Sequence, residues 1–259
     1  MTKTALITGA SGDIGQAIAT RLCEENYDLI LVSRTQEKLE QVVTHLRGKY
    51  PNQQINFKTC DVADHEPVAK LFETLVVEKA VINVLVNCAG VSGGGVTAEL
   101  ENELWLNVIN TNLNGAFFVT RDALRHKLIP AGGRIINIAS TGGKQGVIHA
   151  VPYSASKHGL IGMTKALGLE LAKNRSLITV NAVCPGFVES KMAQKVRKFY
   201  ANIWNTDVDE AKRRIEERVP LGRYIEPSEV AEMVAYLTSP HAAGVTAQAL
   251  NVCGGLGNY

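Results

Sequence analysis

Short apolar runs recur along the chain, each closed by small or polar residues and followed by a stretch with helical spacing. The runs at 3–8, 28–33, 54–60, 81–86, 134–139, 178–183 and 249–252 read as strands. Between them, stretches such as 16–26 and 36–49 place apolar residues every three or four positions, which predicts amphipathic helices. Strand and helix in alternation predict an α/β fold, a Rossmann-type doubly wound parallel sheet of about seven strands with helices on both faces. The stretch from Glu101 is helical in pattern but carries Asn110-Thr-Asn-Leu-Asn-Gly115 in its middle, residues that either kink a helix or do chemistry there.

Composition narrows the class without changing it. Hydrophobic residues make up 46% of the 259 and aromatics 6%, a balance suited to buried parallel strands, and no composition break divides the chain, so 1–259 reads as one domain. A net charge of +2 with dispersed Lys and Arg gives no reason to expect nucleic acid. Five cysteines at 23, 60, 88, 184 and 253 have no paired zinc spacing and read as reduced thiols of a cytoplasmic protein without a metal. No apolar run reaches about 18 residues, and the first strand begins too early for a signal peptide, so neither a membrane span nor secretion is expected.

The candidate chemistry lies at the ends of the predicted strands. Thr8 and the run Gly9-Ala-Ser11-Gly12-Asp13-Ile14-Gly15 form a strand–turn–helix, whose glycines and unpaired helix N–H groups suit a pyrophosphate; the alternative is a tight connection that binds nothing. The second strand ends in Ser33-Arg34 where an acid would select NADH, which favours the 2′-phosphate of NADPH over a solvated Arg34. Asp61-Val62 follows the third strand, where the carboxylate either meets an adenine amino group or caps the next helix. Asn87, Ala89 and Gly90 end the fourth, beside a ribose path, and the loop Ser92-Gly93-Gly94 lies next to it. Pro185 and Gly186, followed by Val188 and Ser190, stop the sixth strand and aim a loop across the nicotinamide end.

Tyr153 and Lys157 are four residues apart, one helical turn, so an ammonium stands near a phenol and is expected to lower its pKa. Ser140, at the end of the fifth strand, brings a hydroxyl to the same place, and Asn112 is given a water-holding role. Residues 191–218 carry Tyr200, Trp204, Arg197, Lys198, Arg213 and Arg214, and suit either a surface or subunit-contact helix or a lid over a large substrate facing an acidic partner. The small, apolar end at 253–259 is expected to pack at a subunit contact.

Taken together, Thr8-Gly9, Gly12, Gly15, Asn87-x-Ala89-Gly90, Asn112, Ser140, Tyr153-x3-Lys157 and Pro185-Gly186 resemble the short-chain dehydrogenase/reductases over the whole chain. Within them, the stretches 93–100, 138–146, 185–189, 227–237 and 245–259 resemble the ketoreductases of bacterial type II (aromatic) polyketide synthases. The resemblance implies a homotetramer that uses NADPH to reduce one ketone, usually at C9, of a poly-β-keto chain on acyl carrier protein. By the same resemblance Ser140 and Tyr153 bind the carbonyl oxygen, Tyr153 gives the proton, Lys157 binds the nicotinamide ribose, and Asn112 holds a relay water. Ser92, Gly93, Gly94, Thr141, Gln145, Val147, Tyr200 and Trp204 then line the substrate pocket. Cys88, Asn83, Ser92 and Ser190 depart from the usual residues, touching adenosine support and the face of the ketone presented. The alternatives are a 3-oxoacyl-carrier-protein reductase or another small-ketone reductase of the same fold, and an NADPH-binding protein without activity.

Overall fold

The computed structural model describes residues 2–257. Seven parallel strands stand in the order β3-β2-β1-β4-β5-β6-β7. They are β1 Thr4–Thr8, β2 Asp28–Ser33, β3 Ile55–Thr59, β4 Val84–Asn87, β5 Arg134–Ile138, β6 Thr179–Pro185 and β7 Ala249–Val252. Side chains of successive strand residues leave opposite faces of a sheet, and two cores result. Ala5, Ile7, Leu29, Leu31, Val84, Val86, Ile136 and Ile138 pack on one face against α1 Asp13–Glu24, α2 Gln36–Lys49 and α9 Pro227–Thr238. Leu6, Ile30, Leu85 and Ile135 pack on the other, against α3 His65–Val77, α5 Gly115–Arg125 and α6 Val151–Lys173. Each fully buried Leu or Ile contributes roughly 1.5–3 kcal/mol.

The expected strands are all present, with two informative shifts. β4 begins at Val84 because Asn83 turns its side chain to the first strand, its Oδ1 accepting from Thr4 N–H at 2.9 Å. That places Asn83 at the N-terminal edge of the sheet, away from any adenosine. β6 runs on through Pro185 instead of stopping before it. A proline fits the last strand position because Gly186 N–H continues the ladder to Val252 O at 3.0 Å.

The helical stretch after Glu101 divides into α4 Asn102–Ile109, a wider π-turn Asn110–Asn114 and α5. The cluster of poor helix formers therefore widens the helix without ending it. The run 191–218 is two helices, α7 Lys191–Ile203 and α8 Val208–Glu216, broken where Asn205 takes φ 48° and Asp207 accepts from Glu210 N–H at 2.7 Å as a cap. Among the described residues no helix is long and apolar enough to cross a membrane, no group of side chains is arranged to hold a metal ion, and all five cysteines are free thiols. The expected subunit contact at 253–259 includes residues 258 and 259, which lie outside the described residues.

Candidate active site

Because every strand runs the same way, Thr8, Ser33, Asn87, Ile138 and Pro185 end at one edge of the sheet. The order reverses between β1 and β4, and the crevice outside that switch point is where open α/β sheets take ligands. Two turns meet there closely. Gly9 has φ +66°, and a Cβ on it would lie 2.7 Å from the Ala89 backbone. Thr8 Oγ1 accepts from Cys88 N–H at 3.1 Å and Ala89 N–H at 3.2 Å, tying the first turn to the fourth.

The N-terminus of α1 offers its first N–H groups to the crevice, since Gly12 at the N-cap has no side chain to satisfy them. Ile14 packs against the core, and Gly15 is buried behind the turn. The glycines recur at every third residue, so the position between Gly12 and Ile14 is Asp13. Its carboxylate accepts from Lys191 N–H, the first residue of α7, at 2.7 Å. Ser190 caps the same helix, accepting from Ala193 N–H at 3.1 Å, and Val188 is buried in a bridge to Ile225.

At the far side of the turn Ser11 and Ser33 share a hydroxyl–hydroxyl contact of 2.7 Å, and the exposed Arg34 guanidinium lies 3.8 Å from Asp61. Two hydroxyls beside a guanidinium suit a phosphate monoester. Asp61 is not the helix cap, the second role considered for it. Asp64 caps α3, while Asp61 Oδ1 holds Ala63 N–H and Val62 is buried in the core.

The catalytic candidates converge on the same edge. Ser140 follows β5 with extended backbone and accepts from Gly142 N–H at 3.0 Å. An ideal Cβ on Gly142 would lie 3.0 Å from Val147, 3.4 Å from Ser140 Oγ and 3.4 Å from the Tyr153 ring, so these three groups surround one small residue. The Ser140 hydroxyl hydrogen-bonds Tyr153, which favours the phenolate, but burial outweighs it and holds the phenol above its ordinary value. The expected lowering is therefore absent, because Lys157 does not bond the phenol. Its Nζ lies 5.8 Å from the Tyr153 ring centroid and donates to Ile138 O at 2.8 Å. Burial lowers Lys157 itself to about 8. A Cβ on Gly90 would stand 3.6 Å from Lys157 Nζ and 3.3 Å from Asn112 Oδ1, so a small residue there leaves both polar groups facing the crevice.

Asn112 lies in the π-turn, buried, and its amide is busy. Oδ1 accepts from Val91 N–H at 2.8 Å, while Nδ2 donates to Val91 O at 3.0 Å and to Ser156 Oγ at 3.1 Å. Ser156 donates in turn to Tyr153 O at 2.8 Å, which joins the 91 loop to the turn of α6 that carries the phenol. Sequence reasoning missed Ser156, whose only signal is its place one turn from Tyr153. It also gave Asn87 to the cofactor, whereas its side chain is buried and donates to Thr120 Oγ1 at 2.9 Å and Asn137 Oδ1 at 2.8 Å. Asn137 donates to Thr164 Oγ1 at 2.8 Å, so one polar chain underlies β4, β5 and α6.

The expected pocket wall divides. The glycine loop is held against the segment before Tyr153: Gly95 N–H donates to His149 O at 2.7 Å, and a Cβ on Gly94 would fall 1.9 Å from that oxygen. Ser92 and Gly93 are half-buried beside it. Thr141 is buried, and Gln145 N–H donates to Thr141 O at 3.1 Å, so the short turn after Ser140 forms the second side with Val147. Tyr200 departs from the expectation. It is buried with Ala193, Ala201, Ala211, Ile215 and Tyr224, stacked on Trp204 at 4.7 Å between ring centroids, and so serves the packing of α7 on α8.

The short chain dehydrogenase family model matches residues 3–201. A Streptomyces violaceoruber protein named as a ketoacyl reductase of the granaticin polyketide synthase is 56% identical over 257 residues, covering 98% of this chain and 93% of its own. A Streptomyces coelicolor protein named as a ketoacyl reductase is 55% identical over 259 residues, 99% of this chain and 98% of its own. The solved structure of a variant of the actinorhodin polyketide ketoreductase with NADPH superposes with a TM-score of 0.93 at 54% identity, covering 100% of this chain and 98% of that one. With the sheet order, the glycine turn and the Ser140–Tyr153–Lys157 cluster, these matches place the chain in the short chain dehydrogenase family.

Proposed function

We propose that the chain is a ketoreductase that uses NADPH to reduce one ketone, at C9, of a poly-β-keto chain held on acyl carrier protein, in the making of an aromatic polyketide. It works as a cytoplasmic homotetramer. The observation that carries the reading is the convergence of Ser140, Tyr153 and Lys157 on the crevice at the switch point. Support comes also from the full-length similarity to ketoreductases of polyketide synthases, one of them solved with NADPH.

The residues present fit the cofactor. The uncapped start of α1 would take the pyrophosphate, Ser11, Ser33 and Arg34 the 2′-phosphate, Gly90 and Lys157 the nicotinamide ribose, and Pro185, Gly186 and Ser190 the carboxamide end. Bound there, NADPH supplies a hydride.

As negative charge grows on the ketone oxygen, Ser140 and Tyr153 are two donors already in place, and they stabilise that charge more than the neutral carbonyl. Tyr153 gives its proton to the oxygen. The raised phenol value keeps that proton present before reaction, which suits an acid in the reducing direction. Lys157, anchored to Ile138 O, would hold the nicotinamide ribose beside the phenol, and Asn112 helps hold a water through which the proton returns.

The test is NADPH oxidation by the purified protein with trans-1-decalone, followed by reconstitution with a minimal synthase and identification of the product by mass spectrometry and NMR. Turnover of decalone and a product reduced at C9 are expected. No turnover with cofactor bound would overturn the enzyme reading, and reduction elsewhere would overturn the position.

A further inference from the structure

The basic residues of the segment 191–218 are not equivalent. Arg197 is buried and paired with Glu189, its guanidinium 4.8 Å from the Tyr224 ring centroid. Arg213 pairs with Glu210 and Glu217, Arg214 with Glu210, and Lys212 with Glu216 at 3.5 Å. These charges are spent inside the segment or, for Arg197, on Glu189 just before it. Lys191, Lys195 and Lys198 are different: all three are exposed, and among the described residues none has an acidic partner within ion-pair distance.

Their spacing puts them on one face of α7, one above another. The helix, KMAQKVRKFYANI, contains no acid to offset them. Ala193, Arg197, Tyr200 and Ala201 fill the buried face. Between the two runs an edge of Met192, Val196, Phe199 and Ile203, with Met192 and Ile203 exposed. In a chain whose net charge is only +2, the uncompensated lysines of this helix form a local positive ridge with an apolar margin.

The ridge starts at the mouth of the site. α7 leaves the ligand edge of the sheet directly after β6, and Asp13 of the glycine turn holds Lys191 N–H. A partner seated on the ridge would therefore stand beside the crevice that contains Tyr153.

We propose that Lys191, Lys195 and Lys198 form the docking ridge for the acidic helical surface of the carrier protein that delivers the ketone, with Met192 and Ile203 meeting its apolar residues. Arg197, Arg213 and Arg214, which the sequence suggested for that task, hold the lid together instead. The proposal rests on the reading of the chain as a ketoreductase of carrier-bound substrates. Three lysines on a nearly neutral chain favour a small acidic protein over a nucleic acid or a vesicle surface.

The test compares Lys191→Gln/Lys195→Gln/Lys198→Gln with Arg213→Gln/Arg214→Gln and the native protein, on a carrier-bound β-ketoacyl substrate and on free trans-1-decalone at several salt concentrations. For the lysine variant, kcat/KM on the carrier-bound substrate should fall about tenfold or more and lose most of its salt dependence, with decalone turnover unchanged. The arginine variant should keep the native salt dependence. An unchanged carrier-bound rate in the lysine variant would overturn the proposal. So would an equal loss on both substrates, which would mean the lysines serve the lid's fold, or lysine-dependent retention on anionic vesicles or duplex DNA without any carrier effect. Failure of the native protein on decalone would instead overturn the reductase reading itself.

Discussion

Asp13, in the glycine turn at the start of α1, holds the backbone N–H of Lys191 at the start of α7, 2.7 Å apart across 178 positions of sequence. The turn proposed to take the pyrophosphate is thereby hooked to the start of α7. The contact is exposed, so its effect on global stability is small, but it is the direct polar link between the two elements' first turns. Asp13→Ala should leave the melting temperature nearly unchanged while trypsin cuts at Lys191, Lys195 and Lys198 several-fold faster. Equal cleavage rates would show that α7 is held by its packing on α8 alone.

Removing one donor from the ketone oxygen should cost kcat far more than KM. Ser140→Ala is expected to lower kcat about 10²–10³-fold, and Tyr153→Phe at least as much, with NADPH affinity within about twofold of native. Stopped-flow hydride transfer and fluorescence titration of the cofactor separate the two. Strong residual turnover in Tyr153→Phe would assign the proton to another acid.

The Lys157 value of about 8, lowered by burial from 10.5, makes cofactor binding sensitive to pH. An anionic cofactor favours the ammonium, so above about pH 8 binding must take up a proton and weakens by up to about tenfold per unit. Titrations between pH 7 and 9.5 should show this, and Lys157→Met should be flat. In the ligand-free protein the unfolded chain binds this proton more tightly than the folded one. The residue's contribution to stability therefore rises with pH between about 8 and 10.5.

Arg34→Asp should reverse the cofactor preference, lowering kcat/KM for NADPH relative to NADH by on the order of a hundredfold, since it replaces a phosphate donor with a second acid beside Asp61. Equal use of both cofactors by the native protein would remove Arg34 from that role.

Gly94→Ala drives a Cβ to 1.9 Å from His149 O, and the two sides of the pocket must separate. A loss of about 1–3 kcal/mol in stability is expected, with a changed ratio of alcohol enantiomers from a prochiral ketone. Calorimetry and chiral chromatography measure the two; a native ratio would place the loop outside the pocket.

The strands and most helices were legible because buried parallel strands are continuous apolar runs, and 28–33, 36–49 and 249–252 begin and end where the pattern says. The convergence of Ser140, Tyr153 and Lys157 was legible because the pattern puts one at a strand end and the other two one helical turn apart. What escaped was pairing at long range. Asn87 looks like a ribose contact until Asn137 and Thr120 are seen beside it, and Arg197 looks free until Glu189 and Tyr224 close over it. Tyr153 misled for a related reason: spacing shows that a lysine is near, while the crowding that raises the phenol comes from the whole fold.

The amide and hydroxyl chain from Asn87 through Asn137 to Thr164 lies under the floor of the site and not in its walls. It joins the strand before the turn at 88–90, the strand before Ser140 and the helix that carries Tyr153 and Lys157. The alignment of Ser140, Tyr153 and Lys157 thus rests on the sheet and α6, while the loop at 92–95 and the turn at 141–150 lie outside that polar chain. A substitution confined to the pocket lining therefore leaves intact the polar scaffold on which these three side chains are set.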